Sequence, residues 1–426
     1  MLGPIRNAVD RIRPSQPPVG AALRELLASG GVQAAFQFLS AERRWIDDQH
    51  LQLCRLPAPT FFEQRRAEWM QSALSALGWT TQIDRAGNVL AQLPGTPASA
   101  PLVALTAHLD TVLAPQVPED VRIDERQRMT GPGVADNGAG LAGLLAVARA
   151  VPAFKLFAGL DSQLLLVANV GEEGEGNLNG MRYLCRPSPL ASRIRSFLVL
   201  DGPSTDRITA EALGSRRYEI VVSGPGGHSW SDFGTANPVH ALSRAVTLFV
   251  DIQAPRAVSS GSGRFSFNFG VIDGGTTVNS IPASARVKVD LRSEDPALLD
   301  ALAQALAQAL DEALLVENEH ATAGKVTARR KETGSRPWGA LPASSPLLDY
   351  VRAVDSELGI RSTMDCASTD ANVPLSLGLP ALSTGAGGEG GGAHTTAEWY
   401  SPEGRALGLR RIILLLGLML AEPGAR

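Results

Sequence analysis

The chain carries several residues with the side chains that zinc prefers, and one of them stands next to an additional glutamate. Zinc in proteins binds histidine nitrogen and carboxylate oxygen, and a two-metal site needs about five or six such ligands, one of them bridging. The candidate ligands are His108, Asp136, Glu173, Asp201 and His394. The additional glutamate, Glu172, could take a proton from a metal-activated water and pass it to a leaving amine. These residue types predict metal-assisted hydrolysis of an amide bond.

Each of these motifs also has a structural interpretation. Asp110 lies two residues after His108, where a carboxylate can orient the imidazole of a metal ligand, but such pairs are often purely structural. A Glu-Glu pair is often a solvated loop, and Asp136 stands where it could cap a helix. No HExxH motif is present, which excludes the common single-zinc helix site. The remaining histidines match no motif and are interpreted as structural: His50, His240 and His320.

Three short apolar runs position these side chains. Residues 102–107 lead to His108, residues 164–170 lead to the glutamate pair, and residues 197–200 lead to Asp201. Such runs are typical of buried strands, and ligands bind at the carboxyl ends of strands in open α/β sheets. A helix is predicted at residues 138–151, directly after Asp136 and Asn137. The pattern therefore predicts an α/β domain with a mixed, largely parallel sheet.

The pattern changes between residues 213 and 331. Alternating strands are predicted at residues 218–223, 265–271 and 285–291, and helices at residues 238–250 and 296–315. This succession predicts a small inserted α+β domain at residues 213–331. The catalytic domain is then built from residues 1–212 and 332–426. Its first 50 residues are predicted to be helices broken by proline and glycine.

Composition narrows the class of protein. The 426 residues carry a formal net charge of −4 and no large basic cluster, which argues against nucleic acid as a partner. Three widely spaced cysteines indicate neither a disulfide framework nor a cysteine-based zinc site. The apolar run at residues 412–421 is far shorter than the roughly 20 residues that a membrane helix needs. With no apolar segment typical of a secretion signal near the N-terminus, we expect a cytoplasmic protein without membrane contact.

A glycine-rich stretch at residues 385–390 fits the GxGxxG pattern of dinucleotide-binding proteins. That pattern requires a helix immediately after the glycines, and no helical periodicity follows here. The stretch is instead interpreted as flexible backbone that presents His394.

Taken together, the motifs resemble those of the co-catalytic zinc metallopeptidase superfamily, which includes peptidase T, carboxypeptidase G, aminoacylase and succinyl-diaminopimelate desuccinylase. The matching segments are TAHLDTV (106–112), GPGVADNGAG (131–140), VGEEGEGN (170–177), LDG (200–202) and GGAHTTAEW (391–399). The resemblance implies two zinc ions per subunit, with Asp136 bridging them and Glu172 as general base. His108 and Asp201 would complete one metal, and Glu173 and His394 the other. It also implies a cis peptide bond between Asp136 and Asn137. Cobalt or manganese would accept the same ligands.

The inserted segment resembles the family's lid, or dimerisation, domain from SGPGGHSWSDFGTANPVHAL (223–242) onward. This implies a homodimer formed through that domain. His228 is expected to reach an active site, often that of the partner subunit, and to stabilise the oxyanion. Asn279 and Arg292 would hold a carboxylate or carbonyl of the substrate, although a salt bridge on an exposed strand is the alternative for Arg292.

The resemblance favours a peptidase that cleaves di- or tripeptides with a free N-terminus. Asp rather than Glu at position 201, and the lid segment GGHSWSDFG, are both similar to peptidase-T-like members. An N-acyl-amino-acid deacylase or a carboxypeptidase would use the same metals and the same Arg292. A non-catalytic descendant that binds or scaffolds also stays open, although every expected ligand position holds a competent residue.

Overall fold

The computed structural model describes residues 19–258 and 263–422. Its helices are α1 (Val19–Ala28), α2 (Gly30–Ala41), α3 (Arg43–Cys54), α4 (Gln64–Ala76), α5 (Gly138–Ala153), α6 (Asn179–Cys185), α7 (Pro238–Ala257), α8 (Pro296–His320), α9 (Pro346–Leu358), α10 (Asn372–Ser376) and α11 (Arg405–Ala421). Helices α1 to α3 occupy the N-terminal segment predicted to be helical, and its first 18 residues lie outside the described residues.

The strands are β1 (Thr80–Ile83), β2 (Val89–Gln92), β3 (Leu102–His108), β4 (Arg122–Ile123), β5 (Met129–Thr130), β6 (Gln163–Asn169), β7 (Ile194–Leu200), β8 (Arg207–Ala212), β9 (Gly214–Ser223), β10 (Gly227–His228), β11 (Phe265–Gly274), β12 (Ser280–Ile281), β13 (Ser284–Ser293), β14 (Thr327–Arg336), β15 (Gly339–Ala340), β16 (Thr363–Ala367), β17 (Ala381–Thr384), β18 (Glu389–Gly391) and β19 (Trp399–Ser401).

A large mixed sheet forms the centre of the molecule. Its strand order is β1-β2-β6-β3-β7-β17-β8-β15, and β16 pairs with β8. The central strands β6, β3, β7 and β17 run parallel, whereas β1, β2 and β15 pair antiparallel at the edges. All residues of β3 are buried, as expected for a continuous apolar run in a parallel sheet that is covered on both faces. The predicted mixed, largely parallel sheet is therefore confirmed.

A second, smaller sheet has its own core. Its order is β11-β13-β9-β14, all antiparallel. Along β13 every second residue is buried, so one face of this sheet packs under α7 and α8 while the other stays partly exposed. Both helices begin at a capping side chain, Asn237 for α7 and Asp295 for α8, followed by proline at the first helical position.

The predicted limits of this smaller unit, residues 213 and 331, stay a prediction. Strand β14 was not recognised in the sequence because it is an exposed, polar edge strand without apolar alternation. It pairs with β9 and continues to Arg336, so the predicted end of the insert falls inside it. We propose that the inserted domain extends to Arg336.

The C-terminal apolar run belongs to α11, which is buried in the core of the large sheet. Among residues 19–258 and 263–422, none of the helices combines the length and the apolar character needed to cross a bilayer.

Candidate metal centre

Three of the five ligands predicted from the sequence, His108, Glu173 and Asp201, lie at the carboxyl ends of three adjacent parallel strands. β6, β3 and β7 are neighbours in the large sheet. His108 is the last residue of β3, and Asp201 directly follows β7. Glu172 and Glu173 follow β6 after a turn at Gly171, whose φ of 66° suits glycine. Because parallel strands end at one edge of the sheet, these side chains meet there.

Asp136 lies between two histidines. Its Oδ1 is 3.1 Å from Nε2 of His108, and its Oδ2 is 3.1 Å from Nε2 of His394. His394 Nε2 is also 2.9 Å from Oε1 of Glu173, and His108 Nε2 is 3.8 Å from Oδ1 of Asp201. The result is two groups of potential ligands, His108–Asp136–Asp201 and Asp136–Glu173–His394, that share one carboxylate.

The electrostatics of these groups suit a cation. Burial alone would lower the pKa of His108, but hydrogen bonds to Asp110, Asp136 and Asp201 raise it well above its usual value. Hydrogen bonds to Asp136 and Glu173 raise the pKa of His394 to about 10. Carboxylates that stabilise positive charge on two imidazoles would equally stabilise metal ions between them, and nitrogen with carboxylate oxygen is the donor set of zinc.

Asp110 joins the end of β3 to the glutamate pair. Its buried carboxylate accepts hydrogen bonds from the backbone N–H of Glu172 and of Glu173, each at 2.9 Å, and from the Thr60 hydroxyl at 3.0 Å. Its Oδ1 is also 3.5 Å from Nδ1 of His108. The backbone carbonyl oxygen of Asp110, 3.0 Å from Nδ1, orients the imidazole, while its carboxylate holds the loop that carries both glutamates.

The loop that carries Asp136 is held by a second buried carboxylate. Glu398 accepts hydrogen bonds from the backbone N–H of Gly133, Ala135 and Asp136, at 2.9, 2.7 and 2.8 Å. The peptide bond between Asp136 and Asn137 is cis, as the resemblance implied. Glu398 lies only four residues after His394, so the same segment supplies a predicted ligand and the support for another.

The glycine-rich stretch before His394 is held by close packing. A Cβ atom at Gly385 would lie 1.8 Å from the carbonyl oxygen of Pro203, so only glycine fits there. Strand β18 follows, and within the described residues the next helix begins only at Arg405. The absence of a helix directly after the glycines agrees with the rejection of the dinucleotide-binding interpretation. The stretch was expected to be flexible, but its backbone is closely packed.

A cavity of about 560 Å³ opens over the candidate ligands. Its wall includes Glu172, which is 3% exposed, and the guanidinium of Arg336 at the end of β14. Arg336 Nη1 donates to Oε1 of Glu172 at 2.8 Å, and Nη2 donates to the Glu172 carbonyl oxygen. Burial raises the pKa of Glu172 well above its usual value, and the charge of Arg336 opposes this only in part.

Of the residues predicted in the inserted domain, Arg292 reaches this cavity. It lies on β13 and donates from Nε to Asp290 at 2.7 Å, and Asp290 also accepts from Arg217 of β9 at 3.0 Å. Both arginines line the cavity. Two guanidinium groups that share one carboxylate leave donors free to hold an anionic group of a ligand.

The other two predicted residues do not line this cavity. His228 lies on the short ladder of β10 and β12, Asn279 directly precedes β12, and both are exposed. The Nδ1 atom of His228 accepts hydrogen bonds from the backbone N–H groups of Trp230 and Ser231, at 3.2 and 3.3 Å. The expectation that His228 reaches an active site is therefore not met by the cavity of its own chain.

Comparison with known proteins gives the family. The model of the peptidase dimerisation domain matches residues 211–318, and that of peptidase family M28 matches residues 88–218. A tripeptidase from Staphylococcus aureus has a similar structure, with a TM-score of 0.71 at 17% identity over 89% of this chain and 99% of that one. A probable carboxypeptidase from Aspergillus clavatus is 30% identical over 282 residues. Together these matches support assignment of the chain to the co-catalytic zinc metallopeptidase superfamily.

Curated relatives within this superfamily match only part of their length. The alignment to the probable carboxypeptidase spans 60% of this chain and 59% of the relative. The cytosol non-specific dipeptidase of Escherichia coli is 25% identical over 289 residues, which is 62% of this chain and 56% of that protein. The two relatives carry different activities in their names.

Three residues that contact the site were missed in the sequence: Glu398, Arg336 and Arg217. Glu398 belongs to a segment that resembles the superfamily's last motif, but nothing in the motif indicates that its carboxylate binds three backbone N–H groups of a distant loop. Arg336 lies 164 residues from Glu172, on a strand that was itself not recognised. A signal existed only for Glu398, through its position beside His394.

Proposed function

We propose that the protein is a two-metal hydrolase that cleaves amide bonds of small peptides with a free N-terminus, with Glu172 as general base. One observation carries this proposal: the two ligand groups share Asp136 and open into the cavity whose wall contains Glu172. A shared carboxylate between two sets of nitrogen and oxygen donors is the arrangement that two-metal hydrolysis needs.

The metals would be held by the ligands in the arrangement expected from the superfamily. Asp136 would bridge them, with His108 and Asp201 on one side and Glu173 and His394 on the other. Zinc is the first choice, with two ions per subunit, and cobalt or manganese would fit the same donors. When bound, such ions polarise a carbonyl and lower the pKa of a water molecule.

Glu172 would move the proton. Its carboxylate lies in the cavity wall beside the ligand groups, and burial raises its pKa well above its usual value, which makes it a stronger base than an exposed carboxylate. It would accept a proton from the attacking water and deliver it to the leaving amine. Asp110 holds the backbone of Glu172 and so fixes the position from which this transfer occurs.

The substrate class follows from the arginines of the inserted domain. Arg292 and Arg217 would bind an anionic end of a short peptide at the far side of the cavity. This arrangement, and the name of the Aspergillus clavatus relative, also favour a second candidate: a carboxypeptidase that acts next to a free C-terminal carboxylate. An N-acyl-amino-acid deacylase would use the same anchor.

A homodimer is part of the proposal. The match to the peptidase dimerisation domain covers the inserted domain, and the exposed position of His228 suits contact with a second chain. His228 would then stabilise the oxyanion in the partner's site, with Asn279 beside it as a substrate contact. A cytoplasmic location stays a prediction.

The test is a Glu172→Gln variant, with Glu175→Gln as the matched control in the same loop. Glu175 is exposed and pairs with Lys288. Amine release would be measured for a free tripeptide, its N-acetylated form and its C-terminal amide. We expect Glu172→Gln to lower kcat by about 100- to 10,000-fold and to retain its zinc, since the base is lost but the ligands remain. Near-native turnover by a folded Glu172→Gln protein would contradict the mechanism.

The three substrates separate the candidate activities. Cleavage of the free tripeptide between its first and second residues, with the acetylated form untouched, supports the aminopeptidase type. If the C-terminal amide is the only one of the three substrates that is not cleaved, the result supports the carboxypeptidase. Release of acetate from the acetylated form would mean a deacylase on the same metal site.

A further inference from the structure

The two adjacent glutamates are chemically identical, yet the proposed function gives them different tasks. Both can approach a metal: His108, Glu172 and Glu173 also form a group whose ligand atoms all lie within 4.8 Å of one another. Side-chain type and position in the sequence therefore do not decide which glutamate binds metal and which acts as the base. Their contacts must decide it.

Those contacts are made to different partners. The Glu173 carboxylate faces the imidazole of His394, 2.9 Å away. The Glu172 carboxylate instead accepts a hydrogen bond from the Arg336 guanidinium at 2.8 Å. Glu172 and Arg336 are only 3% and 7% exposed, so this ion pair is shielded from water. A buried carboxylate that loses its charged partner is strongly destabilised, which disfavours any movement of Glu172 away from Arg336.

Arg336 is itself anchored from two sides. Its Nη1 also donates to the hydroxyl of Ser368 at 2.9 Å, and its Nη2 donates to the carbonyl oxygen of Glu172. The guanidinium thus binds both the side chain and the backbone of Glu172. It fixes the carboxylate and the segment that carries it together.

From these contacts we infer that Arg336 is a positioning residue, which keeps Glu172 out of the metal coordination and directed to the cavity as the base. The inference rests on the proposed function, in which Glu172 is the base and Glu173 a ligand. Without Arg336, the Glu172 carboxylate is free to join the metal as an additional ligand, and it then no longer accepts the proton from water.

A purely structural role for Arg336 is the competing explanation, because β14 ends beside the loop of residues 172–177. Other contacts already join these parts. The N–H of Ser335 donates to Oδ1 of Asn177 at 2.9 Å, and Arg182 donates to the carbonyl oxygens of Asn177 and Ser335. Arg182 therefore serves as the matched control, since it joins the same segments without contacting Glu172 in any of these bonds.

The experiment uses the full chain loaded with cobalt, whose visible spectrum reports the number and type of ligands, and compares four variants. They are Arg336→Met, Arg336→Lys, Arg182→Met and the double variant Arg336→Met/Glu172→Gln. For each one kcat, KM, the cobalt spectrum, the affinity for the metal and the unfolding midpoint are measured. Arg336→Lys keeps the charge and provides a second variant should Arg336→Met fail to fold.

If Arg336 acts through Glu172, Arg336→Met lowers kcat by about 100-fold or more with little change in KM. Its cobalt spectrum shifts as a carboxylate joins the metal, and the metal affinity does not fall. Adding Glu172→Gln abolishes the spectral shift and lowers kcat no further than Glu172→Gln alone, because the two residues act as one unit. Arg336→Lys regains part of kcat, and Arg182→Met keeps the wild-type spectrum.

Three outcomes would overturn the inference. Wild-type kcat and spectrum in a folded Arg336→Met protein would show that Glu172 does not need the ion pair. Losses that multiply in the double variant would show that Arg336 acts independently of Glu172. If the cobalt spectrum of Arg336→Met is unchanged and Arg336→Met and Arg182→Met lose kcat equally, Arg336 has a structural role only. Near-native activity of Glu172→Gln alone would instead overturn the proposed function, and the inference with it.

Discussion

The large sheet and the small sheet contribute to the candidate site in opposite ways. Every candidate ligand belongs to the unit of the large sheet, where carboxylates with almost no exposure, Asp110 and Glu398, hold the loops in place. The small sheet brings Arg292 and Arg336 to the cavity, while its other candidates, His228 and Asn279, remain exposed away from it. The candidate ligands thus come from one unit, whereas the proposed contacts to substrate would come from the second unit or from a second chain.

The largest effect that would sharpen this comparison concerns His228. We expect His228→Ala to lower kcat by about 100- to 1,000-fold, the usual loss when an oxyanion donor is removed. If the histidine acts in the partner's site, mixing this variant with Glu172→Gln restores activity, because each mixed dimer contains one complete site. Random mixing predicts about a quarter of wild-type activity.

The control for this mixing experiment is His240→Ala, an exposed histidine on α7 of the same unit. It should leave kcat unchanged. A mixture without recovery, from subunits shown to exchange, would contradict the action of His228 in the partner's site and would require the small unit to close over its own chain.

The next effect tests the large unit. Asp110→Ala removes the carboxylate that binds the N–H groups of both glutamates and lies 3.5 Å from Nδ1 of His108. We expect metal affinity to fall about 10- to 100-fold, as is typical when a carboxylate that supports metal ligands is lost. Competition with a chelator measures this. Asp251→Ala on the exposed face of α7 is the control, and unchanged metal affinity in Asp110→Ala would contradict the network.

The same contrast explains what could be predicted from the sequence. The strands of the large sheet are continuous apolar runs, and each delivers its ligand a few residues later, so local pattern and resemblance were sufficient. Strand β14 is polar and exposed on an edge, and its last residue, Arg336, meets Glu172 across 164 residues. Contacts of this kind depend on how two units pack, which no local pattern records. His228 shows the reverse, since its motif is clear in the sequence but the residue does not line the cavity of its own chain.

A smaller effect separates the substrate contacts of the small sheet from the metal chemistry. Arg292→Met should raise KM about 10-fold for peptides with a free C-terminal carboxylate, because one charge-assisted hydrogen bond is lost. The C-terminal amide of the same peptide should be little affected. Arg286→Met on the same strand, where Arg286 pairs with Asp273, is the control. Equal losses for both peptides would mean that Arg292 does not bind the carboxylate.

The smallest expected effect is on the free energy of unfolding. It concerns a histidine that packs against the loop of Asp136 in the large unit. His50 is fully buried, and its Nε2 is 2.7 Å from the carbonyl oxygen of Val134. Burial, with the charge of Arg405, lowers its pKa from 6.5 to about 3. His50 therefore stays neutral in the folded protein while the unfolded chain takes up a proton below pH 6.5. The contribution of His50 to the free energy of unfolding therefore falls as the pH decreases from 6.5 towards 3.

A His50→Gln variant keeps an amide donor for Val134 but does not titrate. Between about pH 7 and about pH 5.5, we expect the wild type to lose about 1 kcal/mol more unfolding free energy than this variant. Denaturant unfolding of the metal-free proteins at both pH values measures the difference, and the lower absolute stability of the variant cancels in it. Parallel losses in the two proteins would mean that His50 is protonated in the folded state. The acid sensitivity of the large unit would then arise from its carboxylates alone.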